Sequence, residues 1–149
     1  MTQVSSPLTG RAIGLAAVPD PVFSGAMVGP GHAVDPERGP AEALAPVGGL
    51  VVSLHPHAFV IVDGEGHGVL THLGIDTVQL NGEGVELLVA KGDRVERGQP
   101  VVRWDTAAVE EAGKSPISPV VALDADGGAL SAVAEDGEIK AGEALFTWG

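Results

Sequence analysis

Apolar residues fall along the chain in short runs, some alternating with polar residues and some continuous, and glycine or proline closes nearly every run. Alternation at period two puts every second side chain on one face of an extended strand. Runs of this length separated by turn residues therefore predict β-structure. The pattern predicts strands over 12–18, 49–54, 58–62, 69–73, 85–89, 101–104, 119–123, 129–133 and 144–148. One segment, 106–112, has helical composition, with Asp105 placed to cap its first turn. Residues 29–46, rich in glycine and proline and containing His32, predict a long surface loop.

Two of these stretches resemble each other. AKGDRVERGQPVVRW (90–104) and AEDGEIKAGEALFTW (134–148) align without gaps, matching Val95 with Ile139, Gly98 with Gly142 and Trp104 with Trp148. Pro46-Val-Gly-Gly upstream of the first copy and Pro119-Val-Val upstream of the second read as related entries. Two copies of one small β unit packed face to face would make a compact sandwich or barrel.

Composition narrows the picture further. With 149 residues the chain has room for one domain with its own core, here residues 1–149. Its only aromatic residues besides the histidines are Phe23, Phe59, Phe146, Trp104 and Trp148, so valine, leucine, isoleucine and alanine must fill most of that core. A formal charge of −12 repels nucleic acid and anionic lipid and favours a partner with a basic or mixed face. Lack of cysteine excludes disulfides, thiolate metal sites and a cysteine nucleophile. The N-terminus has no signal-peptide pattern and no apolar run is long enough to span a bilayer, so a soluble, cytoplasmic protein is expected.

Five histidines, His32, His55, His57, His67 and His72, are the candidates for chemistry. The strands at 58–62 and 69–73 flank Asp63-Gly64-Glu65-Gly66, a hairpin-turn signal. A turn centred between Gly64 and Glu65 would place His57 directly opposite His72 and His67 opposite Val62, with His67 facing solvent. Two neighbouring imidazoles suit phosphoryl transfer. One neutral ring nitrogen is a nucleophile near neutral pH, and the second ring can donate a hydrogen bond to the phosphoryl oxygens. The residues alone leave two other readings open: surface histidines near a hairpin end, or a three-histidine zinc site using His55, His57 and His72.

The segment HLGIDTVQLNGEG (72–84) resembles the active-site signature of the glucose-type enzyme IIA family of the bacterial sugar phosphotransferase system. The resemblance extends through KGDRVERG (91–98), SPLTG (6–10), VPDPVF (18–23), APVGG (45–49) and His57-Ala-Phe, nearly the whole chain. It implies an all-β, antiparallel β-sandwich of the duplicated hybrid-motif type with few short helices. It also implies a phosphocarrier phosphorylated on Nε2 of His72 by the carrier protein HPr, which hands the phosphate to a cysteine of an enzyme IIB serving a membrane IIC permease. Glucose and N-acetylglucosamine are the sugars the resemblance suggests.

By the same resemblance His57 would hydrogen-bond the phosphoryl group, with Gly74 and Asp76 supporting the site. Phe23, Leu70 and Val78 would form an apolar docking patch with Asp20 at its rim. No intrinsic cofactor is implied, although a zinc ion shared between His57, His72 and a partner's carboxylate fits the family. Two positions depart from the family pattern: His55 stands where a small hydroxyl residue often sits, and Ser53 replaces an apolar docking residue. A second function of the same face would be regulatory, docking transporters or kinases under control of the phosphate. A biotinyl or lipoyl carrier, whose sheets share turns like Gly92–Gly98, would need a lysine at a hairpin tip; Lys91 only precedes a turn.

Overall fold

Burial alternates along β7 (Gly68–His72): Val69 and Thr71 are buried, whereas Leu70 and His72 are half-buried. Neighbouring residues of a strand point to opposite faces, so this one strand places a core contact and a candidate nucleophile on opposite sides of the sheet. The computed structural model describes residues 1–149 and sets β7 near the middle of an eight-stranded antiparallel sheet. Its other strands are β2 (Gly10–Gly14), β3 (Gly31–Pro36), β5 (Gly49–His55), β6 (Ala58–Val62), β9 (Arg94–Val95), β11 (Ser118–Ala122) and β13 (Gly137–Ile139). The order across the sheet is β13-β2-β3-β11-β7-β6-β5-β9.

Two three-stranded sheets complete an antiparallel β-sandwich. One joins β1 (Thr2–Ser5), β14 (Ala144–Trp148) and β12 (Leu130–Ser131); the other joins β4 (Pro40–Leu44), β10 (Pro100–Asp105) and β8 (Glu86–Leu87). Val34, Phe59, Ile61, Val69 and Val120 of the large sheet meet Val4, Val102, Trp104, Leu145 and Phe146 of the small ones in the main core. Burying each such side chain contributes roughly 1.5–3 kcal/mol, which makes this contact the chief source of stability. A smaller cluster of Leu15, Val18, Phe23, Ala33, Ile75 and Val121 lies apart from it, with Leu70 packed against it.

Strands 58–62 and 144–148 form as the pattern predicts, and most others shift by a residue or two. The run at 12–18 breaks after Gly14 into a 3-10 turn, Leu15–Ala17, and the runs at 85–89 and 129–133 keep only two strand residues each. Helix α2 (Thr106–Glu111) forms as predicted, capped by Asp105, whose Oδ1 accepts from the amides of Ala107 and Ala108 at 2.9 and 3.2 Å. A one-turn helix, α1 (Pro21–Ser24), is too short for any periodicity to announce.

The stretch 29–46 is not a surface loop. It contains β3 and β4, and β3 lies inside the large sheet between β2 and β11. The reason lies in what its glycines do. A Cβ on Gly31 would sit 2.1 Å from the Val120 carbonyl oxygen, so this glycine marks close approach of a neighbouring strand and not a turn. His32 is accordingly a buried strand residue, with no partner for its Nε2.

The repeat reappears as matching hydrogen bonds. Gly98 and Gly142 have φ of 90° and 92°, and their amides donate to the carbonyls of Ala45 and Ser6. In return the amides of Ala45 and Ser6 donate to the carbonyls of Gln99 and Glu143. The β1–β14 and β4–β10 pairs carry register shifts at equivalent places, between Val4/Ser5 and between Pro100/Val102. The entry segment equivalent to Pro46 is therefore the one around Pro7, and not Pro119, which lies in β11.

Candidate functional site

The hairpin expected to bring the two histidines together is offset by one residue. His72 pairs with Ala58, and Val62 pairs with Gly68 and not His67. The Asp63 amide donates to the His67 carbonyl, and Gly66 is left-handed at φ 81°, so three residues, 64–66, form the turn. A three-residue loop ending in a left-handed glycine moves the register relative to a two-residue turn. His57 instead lies beyond β6, in the two-residue turn Pro56-His57 that follows the last β5–β6 pair, His55 with Ala58.

The two imidazoles still meet. The Leu73 amide donates to the His57 carbonyl at 2.7 Å, tying the turn to the end of β7. The His57 and His72 ring centroids are 5.4 Å apart and edge-on at 67°. His55, at the end of β5, stacks on His57 at 5.6 Å and 28°. The exposed His55 ring thus lies beside His57, which in turn contacts His72.

Backbone geometry after β7 sets the state of His72. Its Nδ1 lies 2.5 Å from the Gly74 carbonyl oxygen. A carbonyl can only accept, so the proton of the neutral ring sits on Nδ1 and Nε2 keeps its lone pair. Gly74 is left-handed, at φ 82°; a Cβ there would fall 2.6 Å from Thr77 Cγ2 and 2.7 Å from the Ser115 carbonyl oxygen. Thr77 Oγ1 donates to the Leu73 carbonyl at 2.7 Å, Ile75 donates to the Ser115 carbonyl at 2.8 Å, and Gly74 donates to Ser118 Oγ at 3.3 Å. Thr77 belongs to the motif at 72–84, but the other two supports come from Ser115 and Ser118, far along the chain, and no local pattern in the sequence marks them.

Burial pushes the His72 imidazole below its ordinary value, opposed by the bond to Gly74 and by the negative charges of Asp20 and Asp76. His57 is lowered by burial first, then by the like charges of His72 and His55. Both rings are therefore biased toward the neutral form, the nucleophilic state of imidazole.

The other expected site residues surround His72 with different exposures. Asp76 is exposed, in a left-handed conformation at the start of the 3-10 turn Thr77–Leu80, and Val78 in that turn is 56% exposed. Asp20 caps α1 through the Val22 amide. Phe23 is buried against the His72 ring at a centroid distance of 5.1 Å, so it supports the nucleophile more than it offers an open face. Leu70 is half-buried, and Ser53 lies in β5 opposite Val60. A groove of about 700 Å³, which the sequence did not reveal, runs from His55 and His57 past Val78, Glu83 and Val85 to Trp104 and Asp105.

His55, His57 and His72 do not converge as a three-ligand metal site. The ligand atoms that do converge are those of Asp63, Glu65 and His67, within 4.8 Å of one another. The Thr2 hydroxyl contacts all three side chains and the Met1 ammonium pairs with Glu65, so the chain's own groups occupy that corner. His67 is only partly exposed, because its ring stacks on Trp148 at 4.0 Å.

The family model for the phosphoenolpyruvate-dependent sugar phosphotransferase system, EIIA 1, matches residues 2–128. The glucose-specific EIIA component of Staphylococcus aureus is 37% identical over 142 residues, covering 94% of this chain and 84% of that protein. The glucoside-specific EIICBA component of Staphylococcus carnosus is 38% identical over 145 residues, which are 96% of this chain but 20% of that longer protein. The solved glucose permease IIA from Mycoplasma capricolum has a TM-score of 0.87 and 34% identity, covering 97% of this chain and 93% of that one. Sequence, sandwich architecture and relatives agree: the chain belongs to the EIIA 1 family of the sugar phosphotransferase system and is one of its phosphotransfer components.

Proposed function

We propose that residues 1–149 form one phosphocarrier domain that accepts phosphate on Nε2 of His72 from HPr and passes it to a cysteine of an enzyme IIB, for uptake of glucose or N-acetylglucosamine. The single observation that carries this reading is the Nδ1 bond to the Gly74 carbonyl, which leaves Nε2 as the nucleophilic nitrogen. In the first step the Nε2 lone pair forms a P–N bond while the P–N bond to the donor histidine breaks and its electron pair returns to the donor ring. In the second, a cysteine thiolate of the acceptor forms an S–P bond and the P–N electrons return to Nε2.

His57, edge-on to His72, supplies a hydrogen bond to the phosphoryl oxygens as charge redistributes. The exposed Val78, with Leu70 and the rim carboxylates Asp20 and Asp76, supports transient docking of both partners on this face. A regulatory target would use the same face. Two imidazoles offer half of a tetrahedral zinc shell, so a zinc ion at His57 and His72 would need ligands from a partner. No helix is long and apolar enough to cross a membrane, and the proposal places the protein at the cytoplasmic side of its permease.

Incubation with enzyme I, HPr and phosphoenolpyruvate tests the reading. Phosphate is expected on the wild-type chain and absent from His72→Ala, and unchanged labelling of that variant would overturn the assignment.

A further inference from the structure

His55 has no task in the transfer just described, yet its ring stacks on His57. Pro56-His57 is a two-residue turn, and a side chain there is not held by strand alternation. His72 has its Nδ1 bond to Gly74 to orient it. The ring contacts of His57 are the His55 face at 5.6 Å and 28° and the His72 ring at 5.4 Å and 67°. The three imidazoles form a row that ends on the nucleophile, and His55 is its exposed outer member.

We propose that His55 is a positioning residue for the phosphoryl transfer at His72: its ring, stacked on His57, holds the His57 edge toward the nucleophile. The proposal rests on the phosphocarrier reading above. Aromatic faces in contact favour one another, and the two rings flank Pro56, whose φ is fixed, His55 at the end of β5 and His57 in the turn. Charge acts in the same row. A protonated His55 opposes protonation of His57, as His72 does from β7, while Glu83 and Asp105 line the same groove and Asp20 and Asp76 act on His72.

The test compares His55→Ala and His55→Phe in the full chain. Each is followed by the rate of phosphoryl transfer from phosphorylated HPr and by NMR titration of the His57 ring. His55→Ala is expected to slow transfer about fivefold, because small misplacement of a reacting group is costly in rate. His55→Phe, which keeps an aromatic face without a titrating charge, should return to within about twofold of wild type by the same reasoning. The His57 titration should move upward in both variants. Because His55 is exposed, both should melt with wild type, and a thermal scan checks this.

A His55→Ala rate equal to wild type, or a His55→Phe rate as low as His55→Ala, would overturn the proposal. Retained labelling of His72→Ala would instead remove the nucleophile assignment on which it rests, so the two failures can be told apart.

Discussion

Replacing Gly74 by alanine tests the loop that sets the tautomer of His72. Gly74 has φ 82°, and its added Cβ would lie 2.6 Å from Thr77 Cγ2 and 2.7 Å from the Ser115 carbonyl oxygen. That oxygen already accepts from Ile75 at 2.8 Å, so moving it strains a second bond. Gly113, just past α2, supplies an internal control, since its φ is 84° and a Cβ there meets nothing within 4 Å. The left-handed conformation alone costs an L-residue about 1–2 kcal/mol, and this is the whole expected effect of Gly113→Ala. Gly74→Ala adds the overpacking cost, roughly 1–3 kcal/mol.

At about 2–4 °C per kcal/mol for a chain of this size, Gly74→Ala should melt roughly 5 °C below Gly113→Ala. It should also slow phosphoryl transfer by about tenfold to a hundredfold at a temperature where both variants are folded, because the carbonyl that holds Nδ1 is displaced. Gly113→Ala should transfer at the wild-type rate. Thermal unfolding by circular dichroism and transfer from phosphorylated HPr give the two readouts. Equal melting points for the two variants, or a wild-type rate for Gly74→Ala, would refute the geometry assigned to this loop.

Two further predictions concern stability. Burial lowers His32, with Asp136 opposing, and burial also lowers His57 and His72. The unfolded chain, with histidines near about 6.5, then binds more protons than the folded one as pH falls below that value. Stability should therefore be fully present above pH about 7 and decline between about 6.5 and 5. Urea midpoints that do not fall across this window would contradict the assignment, and His32→Leu should flatten the slope. Asp105→Ala removes the cap of α2 and should cost about 1 kcal/mol, leaving the phosphorylation rate unchanged. A thermal scan beside the transfer assay checks both parts, and a loss of rate without a loss of stability would count against a purely structural role.

The strands that the sequence made legible are those with a dense apolar code between turn residues, 58–62 and 144–148 above all. The cap at Asp105 was equally plain, because it depends on local chemistry, whereas the repeat was legible at 90–104 and 134–148 but not in its entry segments, where Pro7 and not Pro119 answers to Pro46. Hidden elements had physical reasons to be hidden. In β3 the glycine at 31 serves a close backbone approach that only the folded sheet reveals, so the local signal of a loop was misleading. Hairpin register failed because the left-handed residue at 66 lengthens the turn by one, which composition cannot distinguish from a two-residue turn.

The site was legible as residue types and not as geometry. The motif at 72–84 singled out His72, and His57 does lie beside it, but through the Pro56-His57 turn and not through cross-strand pairing. What fixes the orientation of the nucleophile was out of reach, since the loop that carries the Gly74 carbonyl is tied down through the amides of Gly74 and Ile75 and the carbonyl of Leu73, by Ser118, Ser115 and Thr77, only once the chain has folded. The buried position of Phe23 beneath His72 was likewise invisible to a pattern that marks a phenylalanine only as apolar.

The most direct measurement is NMR of protein labelled with nitrogen-15 in its histidines and phosphorylated through HPr. Nitrogen–phosphorus coupling should appear at Nε2 of His72 alone, with its Nδ1 still protonated and facing Gly74. Coupling at Nδ1 of His72, or on His55 or His57 in its place, would contradict the central claim.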